Sequence, residues 1–216
     1  MLLSLRDLKG YAVMAEDGEA GTVVDVFFED DSWMISDLIV DTGRVFHGRK
    51  VLIPIEKCTK PDGKSKQIPV TITKAIVKDS AGISTKIPIS KQKELEEIEA
   101  SPAPSNPAHL RSIQEVLDYT IQATDGTIGH VEDFIFEDDT WKLRYLVVDT
   151  RKWLMGKKVL IGIDWFDHID WNESKFYLNH TKENIKNSPE FDPATPINRK
   201  VEEILYDYHG RPHYWN

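Results

Sequence analysis

The stretch FEDDTW at residues 136–141 repeats FEDDSW at residues 28–33, at a spacing of 108 positions. The same spacing separates the Asp-Gly pairs at 17–18 and 125–126, the glycines Gly48 and Gly156 that precede RKVLI and KKVLI, and the prolines Pro88 and Pro196. TKAIVKDS at 73–80 and TKENIKNS at 181–188 fall on it too, so no gap interrupts the register. Between residues 11 and 55 about half of the positions are identical to their counterparts. A register held that long identifies one unit written twice, and a duplication decides the architecture before any single element does.

Each copy reads as strands. Tyr11 to Glu16 and Thr22 to Phe28 flank an Asp17-Gly18 turn, where glycine supplies the positive φ of a tight hairpin, and Gly21 favours a bulge. The twin hairpin runs from Tyr119 to Thr124 and from His130 to Phe136. In the next strand of the second copy, Trp141, Leu143, Tyr145 and Val147 share one face, whereas the other face passes from Lys142 and Arg144 to Leu146 and Val148. One face is apolar throughout and the other begins wet and ends dry, as expected of a small sheet bending round to close on itself. KVLI, at 50–53 and 158–161, fits a strand covered on both sides. The reading is a mainly β chain of two tandem small β-barrels with short helices at the domain ends.

The acidic triplet then falls between two strands, where Asp and Ser favour a turn because their side chains bond nearby backbone. A calcium loop would need oxygen ligands at alternating positions and a glycine at the sharp turn, and that spacing is missing. Between the copies, KELEEIEASPAPSNPAHL passes from a charged, helix-prone run into Pro102, Pro104 and Pro107, which prevent regular structure. The expected domains are residues 1–100, a Pro/Ser-rich linker at 101–108, and residues 109–216.

Composition narrows the function classes. With 40% hydrophobic and 29% charged residues, the chain has the make-up of a globular protein. Its longest apolar runs fall far short of the roughly 20 residues of a spanning helix, and its N-terminus turns polar at Arg6, short of the apolar core of a signal peptide. No transmembrane segment is expected, and the chain reads as cytoplasmic. A net charge of −9 opposes direct nucleic-acid binding, and the lysines of EKCTKPDGKSKQ (56–67) surround a Pro-Asp-Gly turn and read as a solvated hairpin loop. The single cysteine, Cys58, has no partner for a disulfide or a zinc site and reads as a half-buried thiol.

The set DGTIGHVEDFIFEDDTWKLRYLVVDTRKWLMGKKVLIGI (125–163), with its G-x-V-x-D hairpin, YLVV strand and G-K-K-V-L-I strand, resembles the PRC-barrel family. The first copy matches through DGEAGTVVDVFFEDD, DLIVDTG and GRKVLIPI. Paired with the tail YDYHGRPHYW, the two copies resemble bacterial stand-alone tandem PRC-barrel proteins. The resemblance implies a small closed barrel per copy and a role in docking on partners. Family members include the cytoplasmic domain of the photosynthetic reaction-centre H subunit and a domain of the small-subunit ribosome maturation factor.

Residues shared by the copies are expected to build the barrel, and the mismatched ones to carry function. RKWLMGKK (151–158) against GRVFHGRK (43–50), and the unmatched tail LYDYHGRPHYWN, are the places of greatest difference. The candidate interface residues are Phe46, Trp153, Leu154, Met155, Tyr208, Tyr214 and Trp215, packing on the other barrel, on a second chain in a homodimer, or on a foreign protein. Gly210 is expected to end a helix, and with Pro212 it keeps His209 and His213 from facing one metal. No cofactor, metal or catalytic group is expected. Asp25 with Asp133 and Asp41 with Asp149 recur as structural positions that bond backbone or cap strand ends. The chain reads as a non-catalytic protein-interaction or scaffold module, with a ribosome-maturation or RNA adaptor and an enzyme as the alternatives.

Overall fold

The computed structural model describes residues 1–43, 48–82, 109–150 and 157–215. The first copy contains strand β1 (Leu2–Ser4), the one-turn helix α1 (Leu5–Leu8), β2 (Ala12–Ala15), β3 (Gly18–Glu29), β4 (Ile35–Asp41), β5 (Lys50–Pro54), β6 (Gln67–Pro69) and α2 (Lys74–Asp79). The second contains β7 (Leu110–Ser112), α3 (Ile113–Val116), β8 (Thr120–Ala123), β9 (Gly126–Glu137), β10 (Lys142–Asp149), β11 (Lys158–Gly162), β12 (Phe166–Asp170), β13 (Lys175–Leu178), α4 (Lys182–Asn187) and α5 (Arg199–His209). β2, β3, β5 and α2 recur as β8, β9, β11 and α4 at the spacing read from the sequence.

The two copies form two barrels, mainly β, as the repeat predicts. In the first, the strands run β5-β4-β3-β2-β6, with β2 and β6 parallel and the remaining neighbours antiparallel. In the second, the order is β11-β10-β9-β8-β13-β12, with β8 and β13 parallel. β12 exists only in the second copy because Pro61 stands at the matching place in the first, where proline cannot donate to a ladder. Only the isolated bridges Cys58↔Val70 and Asp62↔Gln67 form there.

The hairpin chemistry is as expected. Gly18 and Gly126 hold φ of 123° and 126° at the Asp-Gly turns, and β3 bulges where Val13 faces Gly21 and Met14 faces Glu19. Gly21 has a second reason to be glycine: a Cβ there would stand 2.5 Å from the Asp41 carbonyl oxygen. Its counterpart Gly129 would drive a Cβ into the Asp149 carbonyl. The burial of β10 follows the wet-to-dry pattern, with Lys142 and Arg144 half-buried and Tyr145 through Asp149 buried, and β5 and β11 are buried through Val51–Ile53 and Val159–Gly162.

Compactness divides the chain differently from the repeat. The first barrel comprises Arg6–Glu115 together with Asp138–Lys142, and the second comprises Met1–Leu5, Val116–Glu137 and Leu143–Asn216. β7 therefore belongs to the first barrel, pairing antiparallel with the end of β3 in the register Ser112↔Phe27, Arg111↔Phe28, Leu110↔Glu29. β1 belongs to the second, in the matching register Ser4↔Ile135, Leu3↔Phe136, Leu2↔Glu137. Each barrel takes this short strand from the opposite half of the sequence. Leu110, fully buried, completes an apolar cluster with Phe27, Ile39 and Leu52.

The acidic triplet is a turn, and its side chains clasp the exchanged segments. Asp31 Oδ1 accepts from Ser32 N, the Ser32 hydroxyl donates to Glu29 Oε2, and Trp33 adopts a left-handed φ of 58° that its counterpart Trp141 reproduces. Asp30 accepts from Arg111 Nε at 2.7 Å and lies 2.8 Å from His109 Nδ1, fixing the start of β7. In the second triplet, Asp138 and Asp139 bind the Lys60 ammonium at 3.1 and 2.9 Å. Lys60 is one of the hairpin-loop lysines, and Lys57, Lys64 and Lys66 of that loop are exposed.

Candidate functional site

Asp25 and Asp133 do bond the neighbouring backbone, accepting from Val26 N and Phe134 N. Their second oxygens do more than the sequence suggested: Asp25 Oδ2 accepts from the Ser112 hydroxyl and Asp133 Oδ2 from the Ser4 hydroxyl, each at 2.5 Å. Burial pushes the Asp25 carboxyl above the ordinary range, against the hydrogen bonds from Ser112, Val26 N and Gln114 N that favour its charge. Both aspartates hold exchanged strands in place. Cys58 is half-buried, and burial, with Asp37 and Glu56 nearby, pushes its thiol up to about 12, far from a reactive thiolate. Among the described residues no three His, Cys, Asp or Glu side chains converge as metal ligands.

The first barrel carries a cleft of about 490 Å³ floored by Val24 and Ile39 and rimmed by Lys9, Lys50, Asp41 and Glu115. In the second copy Glu132 replaces Val24, and its carboxylate takes Lys158, the counterpart of Lys50, at 2.8 Å. One substitution between the copies thus exchanges an ion pair for an apolar floor.

The C-terminal segment is built on α5. Asn198 caps its start, its side chain accepting from Val201 N. Gly210 ends it in the left-handed conformation, with Arg211 N bonded to Tyr206 O and Gly210 N to Asp207 O, a Schellman arrangement. The inner face buries Leu205, Tyr206 and Glu202. Glu202 Oε1 accepts from the Tyr145 and Tyr214 hydroxyls, both at 2.7 Å, and Oε2 pairs with Arg199 at 3.0 Å, so a carboxylate 3% exposed has a partner on each oxygen. Burial, then the hydrogen bond to Glu202, raises the Tyr145 and Tyr214 hydroxyl pKa values, Tyr214 to about 12. Tyr206 meets Tyr145, Trp165, Tyr214 and Trp215 at ring separations between 5.0 and 6.4 Å, and Arg144 and Arg199 lie over the rings of Tyr214 and Trp215, each at 4.2 Å.

Next to this cluster, the His209 ring packs on Trp165 and His180 at 4.9 and 5.1 Å and meets the Ser188 hydroxyl through Nε2 at 3.0 Å. Burial, then the nearby His180 and Arg211, lowers His209 to about 4. His213 turns away from it and meets Asp207 Oδ1 at 3.1 Å.

Of the candidate interface residues, Phe46, Trp153, Leu154 and Met155 lie outside the described residues. Tyr214 and Trp215 are half-buried, packed on α5 within their own barrel. Tyr208 is 38% exposed, its hydroxyl donating to Asn184 O. The sequence reading passed over Ile204, which is 52% exposed one turn before Tyr208 on the outer face of α5. The signal was present in the i, i+4 spacing of Ile204 and Tyr208 against Leu205 and Tyr206 on the inner face.

No described helix is long and apolar enough to cross a membrane. No curated protein matches the sequence. The PRC-barrel domain model matches it twice, over residues 2–77 and 110–185. PRC-barrel domains are protein-interaction modules and the family is generally non-catalytic. With both matches beginning at the exchanged strands and together covering most of the sequence, the chain belongs to the PRC-barrel domain family.

Proposed function

We propose that this chain is a non-catalytic scaffold whose contact surface is the outer face of α5. The observation that carries the reading is the pair Ile204 and Tyr208, two large side chains left 52% and 38% exposed one turn apart on a helix whose inner face is sealed. Neighbouring apolar groups on an otherwise polar surface favour a protein contact. The recurring aspartates support the non-catalytic part, because Asp25 and Asp133 commit their carboxylates to strand clasps with Ser112 and Ser4.

A photo-crosslinking amino acid at position 204, with one at the exposed Lys186 as control, tests this in lysate. The expected result is a discrete protein adduct at 204 and none at 186. Adducts that disappear with nuclease would move the reading toward an RNA adaptor, and equal labelling at both positions would remove α5 as the contact surface.

A further inference from the structure

The outer face of α5 carries a charge pattern that complements itself. Lys200, Ile204 and Tyr208 form a stripe at i, i+4 and i+8, all exposed. Asp207 flanks the stripe on one side, 74% exposed even with His213 beside its Oδ1. The half-buried Val201 flanks it on the other. On the stripe and its flanks the basic Lys200 thus sits before Ile204 in the chain, and Asp207 and Tyr208 after it; the exposed Glu203 lies off the stripe.

Laying a second α5 antiparallel on this face, with a twofold axis at Ile204, meets the pattern at every position. Lys200 lies about 6 Å before Ile204 along the helix and Tyr208 about 6 Å after it, at 1.5 Å per residue. Across an antiparallel pair, Lys200 of one copy therefore falls level with Asp207 and Tyr208 of the other. Lys200 and Asp207 lean to the same side of the stripe, and Val201 and Tyr208 to the other. The axis leaves each leaning direction unchanged, so one edge of the contact is ionic and the opposite edge apolar, with Ile204 against Ile204 between them. A parallel pair would set Lys200 against Lys200 and Asp207 against Asp207.

We infer that the occupant of this surface is a second copy of the chain, joined by α5 against α5 in an antiparallel twofold pair. The inference rests on the reading of α5 as the contact surface and names its partner. A homodimer through an isologous patch is the commonest closed assembly, and such a patch must be complementary to itself under the axis.

Analytical ultracentrifugation of the full chain over a concentration series tests it, using Lys200→Glu, Asp207→Lys and the double variant. The wild type should dimerise reversibly. Each single variant replaces two attractive pairs by two repulsive ones, and the dimer constant should weaken about tenfold, at the scale of exposed pairs. The double variant should recover the wild-type constant. Since Asp207 also meets His213, a second arm avoids it: in a Cys58→Ser background, Ile204→Cys should crosslink to itself under mild oxidation. Val201→Cys should crosslink only when mixed with Tyr208→Cys, its neighbour across the apolar edge. A dimer indifferent to the charge swap, or self-crosslinking at 201, would overturn the α5 pairing. A wild type monomeric at every concentration would overturn the self-association while leaving the photo-crosslinking test of the scaffold reading to stand on its own.

Discussion

Replacing Ser4 by alanine should weaken a strand pair whose other half lies 129 residues away in sequence, and should leave β3 in its own copy unaffected. The Ser4 hydroxyl donates to Asp133 Oδ2, and Asp133 is 8% exposed. Without the hydroxyl the carboxylate loses that donor on Oδ2 and keeps the Phe134 amide on Oδ1. Hydrogen bonds to charged groups contribute about 1.5–3 kcal/mol, and the surviving donor puts this one near the lower end, about 1.5–2 kcal/mol. At 1.4 kcal/mol per tenfold change, the open population of the β1–β9 edge should rise by a factor of about 10 to 30. Hydrogen–deuterium exchange on the full chain reads this directly: amides of residues 133–137 should speed up and those of 25–29 should not. Ser112→Ala should give the mirror image, because Ser112 holds Asp25 in the first barrel. If Ser4→Ala accelerated exchange at 25–29, or at neither stretch, the strand exchange would be wrong.

Three further outcomes follow from packing and charge. Gly129→Ala should destabilise the second barrel by about 2 kcal/mol or more in denaturant titration, since its methyl would collide with the Asp149 carbonyl. Glu202→Ala should lower stability by about 2–3 kcal/mol by leaving the Tyr145 and Tyr214 hydroxyls and Arg199 without their shared acceptor. Glu202→Gln, which keeps an acceptor oxygen, should cost less, and equal losses would exclude the hydrogen-bonded role. His209, lowered to about 4 when folded against about 6.5 when unfolded, binds fewer protons in the folded chain between those values, and His180 is lowered in the same sense. Stability should be full above about pH 6.5 and fall as the pH drops toward 4, by less than the full linkage value because the ring is partly solvated. Thermal melts of His209→Gln should show a flatter profile over that window.

The local elements were legible because their chemistry is local. Asp17-Gly18 must turn, Gly21 must bulge, and the wet-to-dry faces of Lys142–Val148 must enter a core wherever they are placed. The strand exchange was not legible, although Leu2, Ser4, Leu110 and Ser112 stand at the same spacing of 108 and could have extended the repeat to its first residues. The edges of β3 and β9 carry equivalent aspartates, Asp25 and Asp133, so either slot suits either serine by composition. Only the path of the chain decides which strand fills which slot, and pattern carries no record of path. Glu202 was missed for a related reason. A glutamate in a helix reads as solvated, and its burial depends on two tyrosines and an arginine brought in from β10 and from both ends of its own segment. Tyr214 and Trp215, expected to pack on a barrel or on a neighbouring chain, lie half-buried on α5 within their own barrel.

The crossing of β1 and β7 also governs how the molecule is born. Leu2–Ser4 leaves the ribosome well before β9, the strand it must join, which is synthesised more than a hundred residues later. The first barrel in turn waits for Leu110–Ser112 before its apolar cluster can be sealed. The first half cannot mature when its own translation ends, and a nascent chain stalled between the copies would display both an orphan strand and an empty slot, the marks by which chaperones and proteases recognise unfinished work.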